Sequence, residues 1–513
     1  MFIGVDVGGT NTDAVLMDGN QLAGAAKVPT TADVTSGIVG AVSELRRQHP
    51  ECHIDAVMVG TTHFTNALLE RRDLAPTAVL RLCLPATQLL PPLVDWPEEL
   101  TKAIGGQTYM AGGGNEFDGR EISALDRNGI RDAVRAMVGQ GIRAVAVCGV
   151  FSPVDPRHEN ETAAIIQDDF PDLRVCLSHE NGRMGLLERE NAAALNACLG
   201  DVAHRTVEGI AHALEQLGIS APLFMSQNDG TLMDTDFAAR FPVLTISSGP
   251  TNSMRGAAWL SGIADGIVVD VGGTSTDVGA LVKGFPRESA VAVHLAGVRT
   301  NFRIPDMVSI ALGGGTIVSP DPWRMGPESV GYRLTEEAMV FGGGTLTTTD
   351  LAVANGRADV GDGRLVKGLN PSLVERTMAE IQARAETAVD RVKLSGEDVP
   401  VVLVGGGSIL LGDGLAGASE VLRPEHAGVA NAIGAAIAQV GGQMERVYSL
   451  ESSGRAEAIA DCSAGAVQRA VAAGANPATV EVVDVEEVPL TYVPSNATLV
   501  RVRAVGNLAL SSD

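Results

Sequence analysis

An eight-residue segment near the start of the chain is repeated almost unchanged in its middle. The first copy, from Asp6 to Asp13, reads Asp-Val-Gly-Gly-Thr-Asn-Thr-Asp, and the second, from Asp270 to Asp277, differs only by Ser for Asn. Each copy follows an apolar run typical of a β-strand. Paired glycines let the backbone turn sharply and approach an anion closely. The repeat therefore predicts two related halves, each presenting a glycine turn and an aspartate to one ligand.

The residues around the two copies are also alike. In the first half we predict strands over residues 2–7, 12–17 and 22–28, with a hairpin turn at 18–20. The second half repeats this order with strands over 267–271, 276–282 and 288–293 and a turn at 283–284. Alternating strands and helices follow each unit, which is typical of an α/β domain. Further helices are predicted over 33–48, 62–71, 131–139, 184–217, 372–392 and 427–439, and further strands over 56–59, 143–150 and 401–404.

This pattern predicts four segments along the chain. Residues 1–180 form the first α/β domain, and residues 181–250 form a helical linker or lid and the start of the second half. Residues 251–445 form the second α/β domain. Residues 446–513, with a helix over 464–472 and strands over 480–485 and 498–505, are expected to form a small C-terminal α/β appendage.

Composition narrows the classes of partner. A net charge of −24 on 513 residues argues against nucleic acid or an anionic membrane as a partner. The six cysteines are scattered without a C-x-x-C pair, which favours reduced core residues in a cytoplasmic protein. The N-terminus lacks the pattern of a signal peptide, and no apolar stretch reaches the roughly 18 residues of a membrane span.

The repeated turns have the chemistry of a phosphate site. Successive backbone N–H groups can form a nest for phosphate oxygens, and threonine hydroxyls add donors. An aspartate at the strand end can hold Mg²⁺ through water. A plain Asp/Gly turn would explain one copy, but two copies in matched contexts favour ATP with Mg²⁺. The chain has neither a P-loop nor a dinucleotide-binding fingerprint.

A third glycine segment follows the predicted strand at 401–404. Its glycines would let a flat nucleoside lie against the backbone. The residues predicted to contact the nucleotide are Gly8, Gly9, Thr10, Asn11, Thr12, Gly272, Gly273, Thr274, Ser275, Thr276, Gly405, Gly406, Gly407 and Ser408.

Several further blocks carry a resemblance to a known family. In chain order they are 4–10, 60–62, 65–71, 188–189, 196–197, 248–250, 270–277, 313–315, 326–329, 341–343, 345–346 and 423–434. On these blocks the chain resembles the ATP-binding (A or alpha) subunit of the hydantoinase/oxoprolinase family, within the actin, sugar-kinase and heat-shock-chaperone ATPase superfamily. It departs from the family pattern at Asn11, where many members carry Phe, at residues 251–254, and in being shorter than the longer members. The departures leave the substrate and the partner open.

The resemblance implies a fold and a reaction. Two RNase H-like halves would clamp ATP between them, and the γ-phosphoryl group would activate the carbonyl oxygen of a cyclic amide such as a hydantoin, 5-oxoproline or another lactam. A second, metal-containing B-type subunit is expected to complete the hydrolysis. A ketone carboxylase subunit would use the same cleft, and a non-enzymatic nucleotide-driven switch is the alternative from another class. A sugar or acetate kinase fits the blocks less well.

Individual residues receive roles on the same basis. Asp6 and Asp270 are predicted to be catalytic and to hold the metal. His63 and Asn66, beside the block at 60–62, are candidate catalytic residues, with a structural histidine and a turn-capping asparagine as the alternatives. Glu188 and Arg189 are interpreted as a surface ion pair, with a position in the cleft as the alternative. Glu328 lies in a loop where function is more common. His426 is interpreted as packing at a helix start, with a nucleotide contact as the alternative.

Overall fold

The computed structural model describes residues 1–30, 34–289, 292–301, 304–451, 454–490 and 496–510. The N-terminal strands are β1 (Phe2–Val7), β2 (Asn11–Asp18), β3 (Gln21–Pro29), β4 (Ala56–Thr61), β5 (Thr77–Leu84), β6 (Gln107–Gly112), β7 (Ala144–Gly149), β8 (Arg174–Leu177), β9 (Leu223–Ser226) and β10 (Leu232–Asp234). The helices among them are α1 (Val34–Gln48), α2 (His63–Glu70), α3 (Glu98–Ala103), α4 (Arg127–Gly139), α5 (Arg157–Asp169), α6 (Ser178–Asn181), α7 (Leu186–Gln216) and α8 (Thr235–Arg240).

The second half begins with a helix. Its helices are α9 (Ser248–Ser261), α10 (Leu334–Glu337), α11 (Thr348–Ala354), α12 (Pro371–Val392) and α13 (Ala430–Ala436). Its strands are β11 (Gly266–Val271), β12 (Thr276–Val282), β13 (Phe285–Pro286), β14 (Val293–Leu295), β15 (Val298–Thr300), β16 (Met307–Ile310), β17 (Thr316–Pro320), β18 (Trp323–Ser329), β19 (Val399–Val404) and β20 (Ala418–Leu422). The chain ends with β21 (Val440–Ser449), α14 (Arg455–Ala472), β22 (Glu481–Pro489) and β23 (Ala497–Gly506).

The largest sheet combines the two ends of the chain. Its described strands lie in the order β22-β23-β21-β10-β9-β4-β1-β2-β3. β1 lies between β2, its antiparallel partner, and β4, its parallel partner, and its residues from Ile3 to Val7 are buried. The C-terminal segment predicted as an appendage does contain a helix and two strands. Those strands continue the sheet of the N-terminal half, because β21 pairs with β10 and β23 pairs with β21.

The second sheet is built around the second glycine turn. Its described strands lie in the order β13-β12-β11-β19-β20, and β16 also pairs with β12. The strand predicted over 288–293 is wrong: the strand that follows the turn is Phe285–Pro286, and residues 290 and 291 lie outside the described part. A proline has no N–H for the ladder, so β13 stops there, and β16 pairs with the first residues of β12 instead.

A smaller sheet completes the N-terminal half. It has the order β6-β5-β7-β8 and packs against α4 and α5. The long helix predicted over 184–217 is observed as α7, which contacts β5, β7 and α1 and buries much of its length in the N-terminal core. The domain boundaries at 180, 250 and 445 stay a prediction. No helix in the described part of the chain is long and apolar enough to cross a bilayer.

Helices α9 and α13 carry the chain into and out of the second half. They cross in close contact, because a Cβ added at Gly256 would collide with the Ala430 carbonyl and one at Gly434 with the Asn252 carbonyl. The helix predicted over 427–439 is shorter, with a 3-10 turn over Ala427–Val429 before α13. All six cysteines are free thiols, and five of them are buried.

Candidate active site

The two glycine turns have the same local structure. In the first, the Gly8 N–H donates to the Asn11 carbonyl (3.0 Å), and in the second the Gly272 N–H donates to the Ser275 carbonyl (2.9 Å). The strands that flank each turn are in the same register, so that each leading aspartate lies opposite the closing one. The sequence repeat is therefore also a structural repeat, and the predicted duplicated α/β fold is confirmed.

The two turns face each other across a cleft of about 340 Å³. They are in contact, because a Cβ added at Gly273 would collide with the side chain of Thr10. The residues that line the cleft are Asp6, Gly8, Gly9, Thr10, Asn11, Asp13, Lys27, Thr62, Gly249, Pro250, Ser253, Asp270, Gly272, Gly273, Thr274, Ser275, Asp277, Gly314, Leu334, Thr349, Gly405, Gly406, Gly407, Ala427, Gly428, Ala430 and Asn431. They come from both halves of the chain.

Asp6 is held by two asparagine side chains. Asn431 Nδ2 donates to its Oδ2 (3.0 Å), and Asn252 Nδ2 lies 3.4 Å from its Oδ1. Burial raises the pKa of Asp6 to about 6, with a further contribution from the charge of Asp13, while the two asparagines act against the rise. The charge of Asp270, on the other side of the cleft, also raises the pKa of Asp6.

The cleft collects more negative than positive charge. Burial also raises the pKa of Asp277 to about 6 and raises the pKa values of Asp13 and Asp270. Of the described residues that line the cleft, Lys27 alone carries a cationic side chain. Its Nζ lies 2.5 Å from Asp13 Oδ1, opposite it on the neighbouring strand. Clustered buried carboxylates of this kind favour binding of cations.

The third glycine segment packs against the second turn. Gly405 has a φ of +82°, and a Cβ there would collide with the Asp270 carboxylate. A Cβ at Gly407 would lie 2.6 Å from the Gly272 carbonyl oxygen. At Gly406, by contrast, no heavy atom of the described structure lies within 4 Å of that position, so its face is open to the cleft. The third glycine segment thus packs against the second turn, and at Gly406 it leaves one face open to the cleft.

Most of the predicted nucleotide-contact residues lie on the cleft wall, but Thr12, Thr276 and Ser408 do not. Thr12 and Thr276 are buried beneath the turns, where the Thr276 hydroxyl donates to the Leu312 carbonyl (2.6 Å). The Ser408 carbonyl accepts a hydrogen bond from Arg423 (3.0 Å) behind the third segment. In β12 alternate residues face opposite sides, which places Thr276 away from the cleft and Asp277 on it.

His63 and Asn66 are also outside the described wall of the cleft. Both lie on α2, which begins at His63, and Asn66 is exposed on its outer surface. The residue that this strand-to-helix turn places at the cleft is Thr62, whose hydroxyl lies 3.4 Å from the Val7 carbonyl. Of the residues in the block at 60–62, Thr62 is therefore the one that lines the cleft.

Several functional candidates escaped the sequence reasoning. The predicted hairpin between β2 and β3 brings Lys27 near Asp13, but only a register shift between Leu16 and Met17 places the two residues opposite each other. Ser253 and Gly249 lie on α9 and Asn431 lies on α13, and nothing local in the sequence shows that they meet Asp6 or Asp270. Tertiary contact alone brings them there.

Among the described residues, no group of three His, Cys, Asp or Glu side chains forms a metal site by itself. A Mg²⁺ ion bound to a nucleotide needs no such group, because phosphates and water supply most of its ligands and one or two carboxylates suffice. Asp6 and Asp270 meet that need. The donor set therefore fits a magnesium–nucleotide complex.

The surface ion pair predicted for Glu188 and Arg189 is wrong. Arg189 is fully buried and donates to the Gly149 carbonyl (2.6 Å) and to Ser178 Oγ (2.9 Å). Glu188 instead pairs with Arg299 (2.9 Å). A buried guanidinium with several acceptors orders the chain that enters α7. Of the two remaining candidates, the Glu328 side chain pairs with Arg324 on the surface, and that of His426 is half-exposed before a 3-10 turn.

The fold and the cleft together define an α/β protein of two related halves with a cleft lined by glycine turns and carboxylates between them. Comparison with known families makes the class specific. The chain belongs to the hydantoinase/oxoprolinase family: the family's N-terminal region matches residues 2–170, and its hydantoinase/oxoprolinase region matches residues 189–395.

Two relatives and one solved structure show which proteins are similar. The caprolactamase subunit alpha of Pseudomonas jessenii is 30% identical over 403 residues, covering 71% of this chain and 56% of that protein. The acetophenone carboxylase gamma subunit of Aromatoleum aromaticum is 26% identical over 396 residues, covering 69% of this chain and 53% of that protein. The chain thus spans a little over half the length of these relatives. The crystal structure of the ATP-dependent caprolactamase from Pseudomonas jessenii superposes with a TM-score of 0.78 at 20% identity, over 99% of this chain and 88% of that one.

Proposed function

We propose that this chain is the ATP-binding subunit of an ATP-dependent cyclic amide hydrolase that phosphorylates the amide carbonyl oxygen. The observation that carries the proposal is the pair of matching glycine turns, each with its leading aspartate, on opposite walls of one cleft in a hydantoinase/oxoprolinase family member. An amide needs such activation. Its resonance, reflected in a rotation barrier of about 18–20 kcal/mol, makes the carbonyl carbon a poor electrophile.

The turns would hold the phosphates through their backbone. The Gly8 and Gly272 N–H groups are used within the turns, so the N–H groups that follow them, at Gly9, Thr10, Gly273 and Thr274, are the candidate donors. Backbone donors in a fixed turn need no reorganisation when charge develops on the transferred group. Gly406 would provide the flat surface beside the nucleoside.

Asp6 and Asp270 would hold Mg²⁺, which neutralises charge on the phosphates when it is bound. The hydrogen bonds from Asn431 and Asn252 fix the orientation of the Asp6 carboxylate before the nucleotide arrives. Lys27 would add positive charge beside the phosphates while Asp13 holds its ammonium in place. Alignment and charge neutralisation are the main contributions that a protein makes to phosphoryl transfer.

The similarity to a caprolactamase subunit supports a lactam or another cyclic amide, such as a hydantoin or 5-oxoproline, as the acceptor. The similarity to an acetophenone carboxylase subunit favours a second candidate, in which the same cleft activates a ketone for carboxylation. Both relatives are named as subunits, so we also propose a separate B-type partner chain. A cytoplasmic location is part of the proposal.

The test measures Mg-dependent ATPase activity of the chain purified from its native host, with whatever copurifies. Hydantoins, 5-oxoproline, simple lactams and ketones are added in turn. Stimulation of ADP release by a cyclic amide, with ring opening, is the expected result. Stimulation by ketones with bicarbonate would favour the carboxylase instead. ATP binding without stimulation by any of them would overturn both and favour a nucleotide-driven switch.

Variants test the cleft directly. Asp6→Asn and Asp270→Asn should each abolish turnover, because each removes one anionic ligand for the metal. Asp265→Asn is the matched control, since Asp265 is exposed just before β11, at the end opposite Asp270. Near-normal ATPase activity in either cleft variant would contradict the assignment.

A further inference from the structure

Two arginines approach one phenylalanine ring where the C-terminal strands meet the second half of the chain. Arg255 lies on α9 and Arg503 on β23, and the central carbons of their guanidinium groups lie 3.9 and 4.7 Å from the centroid of the Phe285 ring. Phe285 belongs to β13, at one edge of the second sheet. The negative face of an aromatic ring attracts cations. The ring therefore holds two like charges beside each other.

The guanidinium of Arg503 has donors to spare. None of the described residues forms a hydrogen bond or an ion pair with it, and its contact with the Phe285 ring uses no N–H group in the plane of the guanidinium. Its Nε is buried, whereas its two terminal nitrogens keep accessible surface. Asp484 lies opposite Arg503 on β22, but no ion pair joins the two side chains. The outer edge of this guanidinium is therefore open to a ligand.

The guanidinium of Arg255 is fixed in place but only partly used. Its Nη1 donates to the Gly284 carbonyl (2.7 Å). Its Nη2 has no hydrogen-bond partner among the described residues and keeps accessible surface. Burial and the charge of Arg503 lower the pKa of Arg255 to about 10, and the charge of Asp229 acts against this fall. The two cations are thus close enough to repel each other.

The carboxylate of Asp229 does not neutralise the pair. Its Oδ1 accepts a hydrogen bond from the Thr231 hydroxyl (2.6 Å), and its Oδ2 accepts one from Gln443 Nε2 (2.6 Å). In the part of the chain that the structure describes, it forms no ion pair with either arginine. Partly buried charges without an ion-paired partner are costly unless another group supplies the opposite charge. The arginine pair therefore keeps a surplus of positive charge in a chain whose net charge is −24.

We propose that Arg255 and Arg503 together bind one small tetrahedral oxyanion of the phosphate class. A planar guanidinium pairs with two oxygens of a phosphate at once. A tetrahedral anion has four oxygens and can offer a pair to each arginine, whereas a single carboxylate has only two oxygens to share between them. A phosphate monoester also carries about −1.5 to −2 charges near pH 7, which matches two guanidinium groups.

This anion site is separate from the candidate nucleotide cleft, whose described wall contains neither arginine. Helix α9 joins the two. Asn252, one turn before Arg255 on that helix, has its Nδ2 3.4 Å from Asp6 Oδ1. β23 continues the sheet of the first half, whereas α9 and β13 belong to the second half, so a bound anion would attach the two halves to each other. Anion binding here does not require the proposed ATPase activity.

The first test titrates the nucleotide-free chain with inorganic phosphate by calorimetry. Saturable binding is the expected result, and acetate should bind at least about tenfold more weakly because it cannot pair with both arginines. Glycerol 1-phosphate is the second probe, since it distinguishes a site that admits a phosphate ester from one that admits only the free ion. Saturable binding of either phosphate supports the site. Equally weak binding of phosphate, acetate and chloride would overturn the proposal.

Variants of Arg503 locate the bound anion. Arg503→Met should weaken phosphate binding about tenfold or more, because a charge-assisted contact is lost. Arg503→Lys keeps the charge but not the planar fork, so it should weaken binding less. Arg391→Met is the matched control, because Arg391 is exposed in the last turn of α12 and its replacement removes the same charge elsewhere. Equal phosphate affinities in Arg503→Met and Arg391→Met would contradict the site.

A variant of Lys27 separates this site from the cleft. Lys27→Met changes the cleft alone and should leave phosphate bound by the two arginines unaffected. Phosphate binding that weakens in Lys27→Met but not in Arg503→Met would place the anion in the cleft and refute the proposal. Loss of phosphate binding in Arg503→Met, with an unchanged MgATP affinity, would support the site independently of the proposed function. Stimulated ATPase activity without phosphate binding at Arg503 would leave the proposed function standing alone.

Discussion

At the scale of single residues, the repeated octapeptide does not make its two copies equivalent. Asp13 faces Lys27 across the β2–β3 pair, whereas Asp277 faces Ser309 across the β12–β16 pair. The first half therefore contributes a cation to the cleft, whereas in the second half a serine pairs with Asp277. This asymmetry lies in the strand opposite each turn and not in the turn itself.

Replacing Lys27 with methionine should weaken MgATP binding about tenfold or more, because a charge-assisted contact contributes roughly 1.5–3 kcal/mol. Lys27→Arg should retain part of the affinity. The measurement is the dissociation constant from calorimetry at two salt concentrations. Lys283→Met, at the exposed turn after β12, is the matched control. An unchanged affinity in Lys27→Met would show that the Lys27 ammonium pairs with Asp13 and does not contact the nucleotide.

The raised pKa of Asp6 predicts a pH dependence of stability. The folded state holds this proton more tightly than the unfolded chain, since its pKa rises from 3.8 to about 6. Its contribution therefore favours folding below pH 4 and is lost as the pH rises to about 6, by up to about 3 kcal/mol. Denaturation of the nucleotide-free chain at pH 5, 6 and 7 should show a smaller fall in stability for Asp6→Asn than for the wild type. Parallel curves would contradict the assignment.

At the scale of elements, the crossing of α9 and α13 brings two helices of the second half into close contact beside Asp6. Two glycines allow it, and their neighbours Asn252 and Asn431 reach Asp6 from the same helices. The geometry of this crossing therefore sets the position of a cleft carboxylate. A substitution that forces the two helices apart should therefore lower the free energy of unfolding and also displace the Asp6 carboxylate.

Gly434→Ala should lower the free energy of unfolding by at least about 1–3 kcal/mol, because its methyl group would overlap a backbone carbonyl that cannot rotate away. Chemical denaturation provides the measurement. The control is Gly139→Ala in α4, where the added methyl group meets no heavy atom of the described structure within 4 Å. Equal effects of the two substitutions would show that the helices separate at little cost.

At the scale of the whole molecule, the C-terminal segment belongs to the sheet that begins with the first strand. α14 covers that sheet with four buried residues, Ala458, Cys462, Ala466 and Ala470. β21 lines a cavity of about 250 Å³. The first half is therefore completed by residues that follow the second half in the chain. This arrangement makes the two ends of the chain interdependent.

A charge placed beneath α14 tests that interdependence. Ala466→Asp should destabilise the main unfolding transition by about 3–5 kcal/mol, because it buries an unpaired carboxylate against the large sheet. Val471→Asp, on the same helix at a position that is 36% exposed, is the control. Calorimetry should show one shifted transition for Ala466→Asp. Loss of a separate small transition, with the main one unchanged, would indicate an independent appendage.

The sequence by itself determined the glycine turns, the strands beside them and the glycine-rich part of the cleft wall. These features are local: glycine conformation and alternating burial act over a few residues, so Asp6, Gly8 and Thr10 could be placed without any distant contact. Length and periodicity likewise sufficed for α7 and α12, whose observed bounds agree with the prediction to within two residues. The family blocks added the expected reaction.

Tertiary structure alone decided which distant segments meet. Alternation in a strand shows which face is buried but not which strand lies beside it, so the pairing of β21 with β10 was invisible. The burial of Arg189 and the approach of Asn252 and Asn431 to Asp6 depend in the same way on helices far apart in the chain. The cavity of about 250 Å³ shows this most clearly, because its wall is assembled from separate segments between His179 and Ala472. Local physics determined the turns, and long-range packing decided what surrounds them.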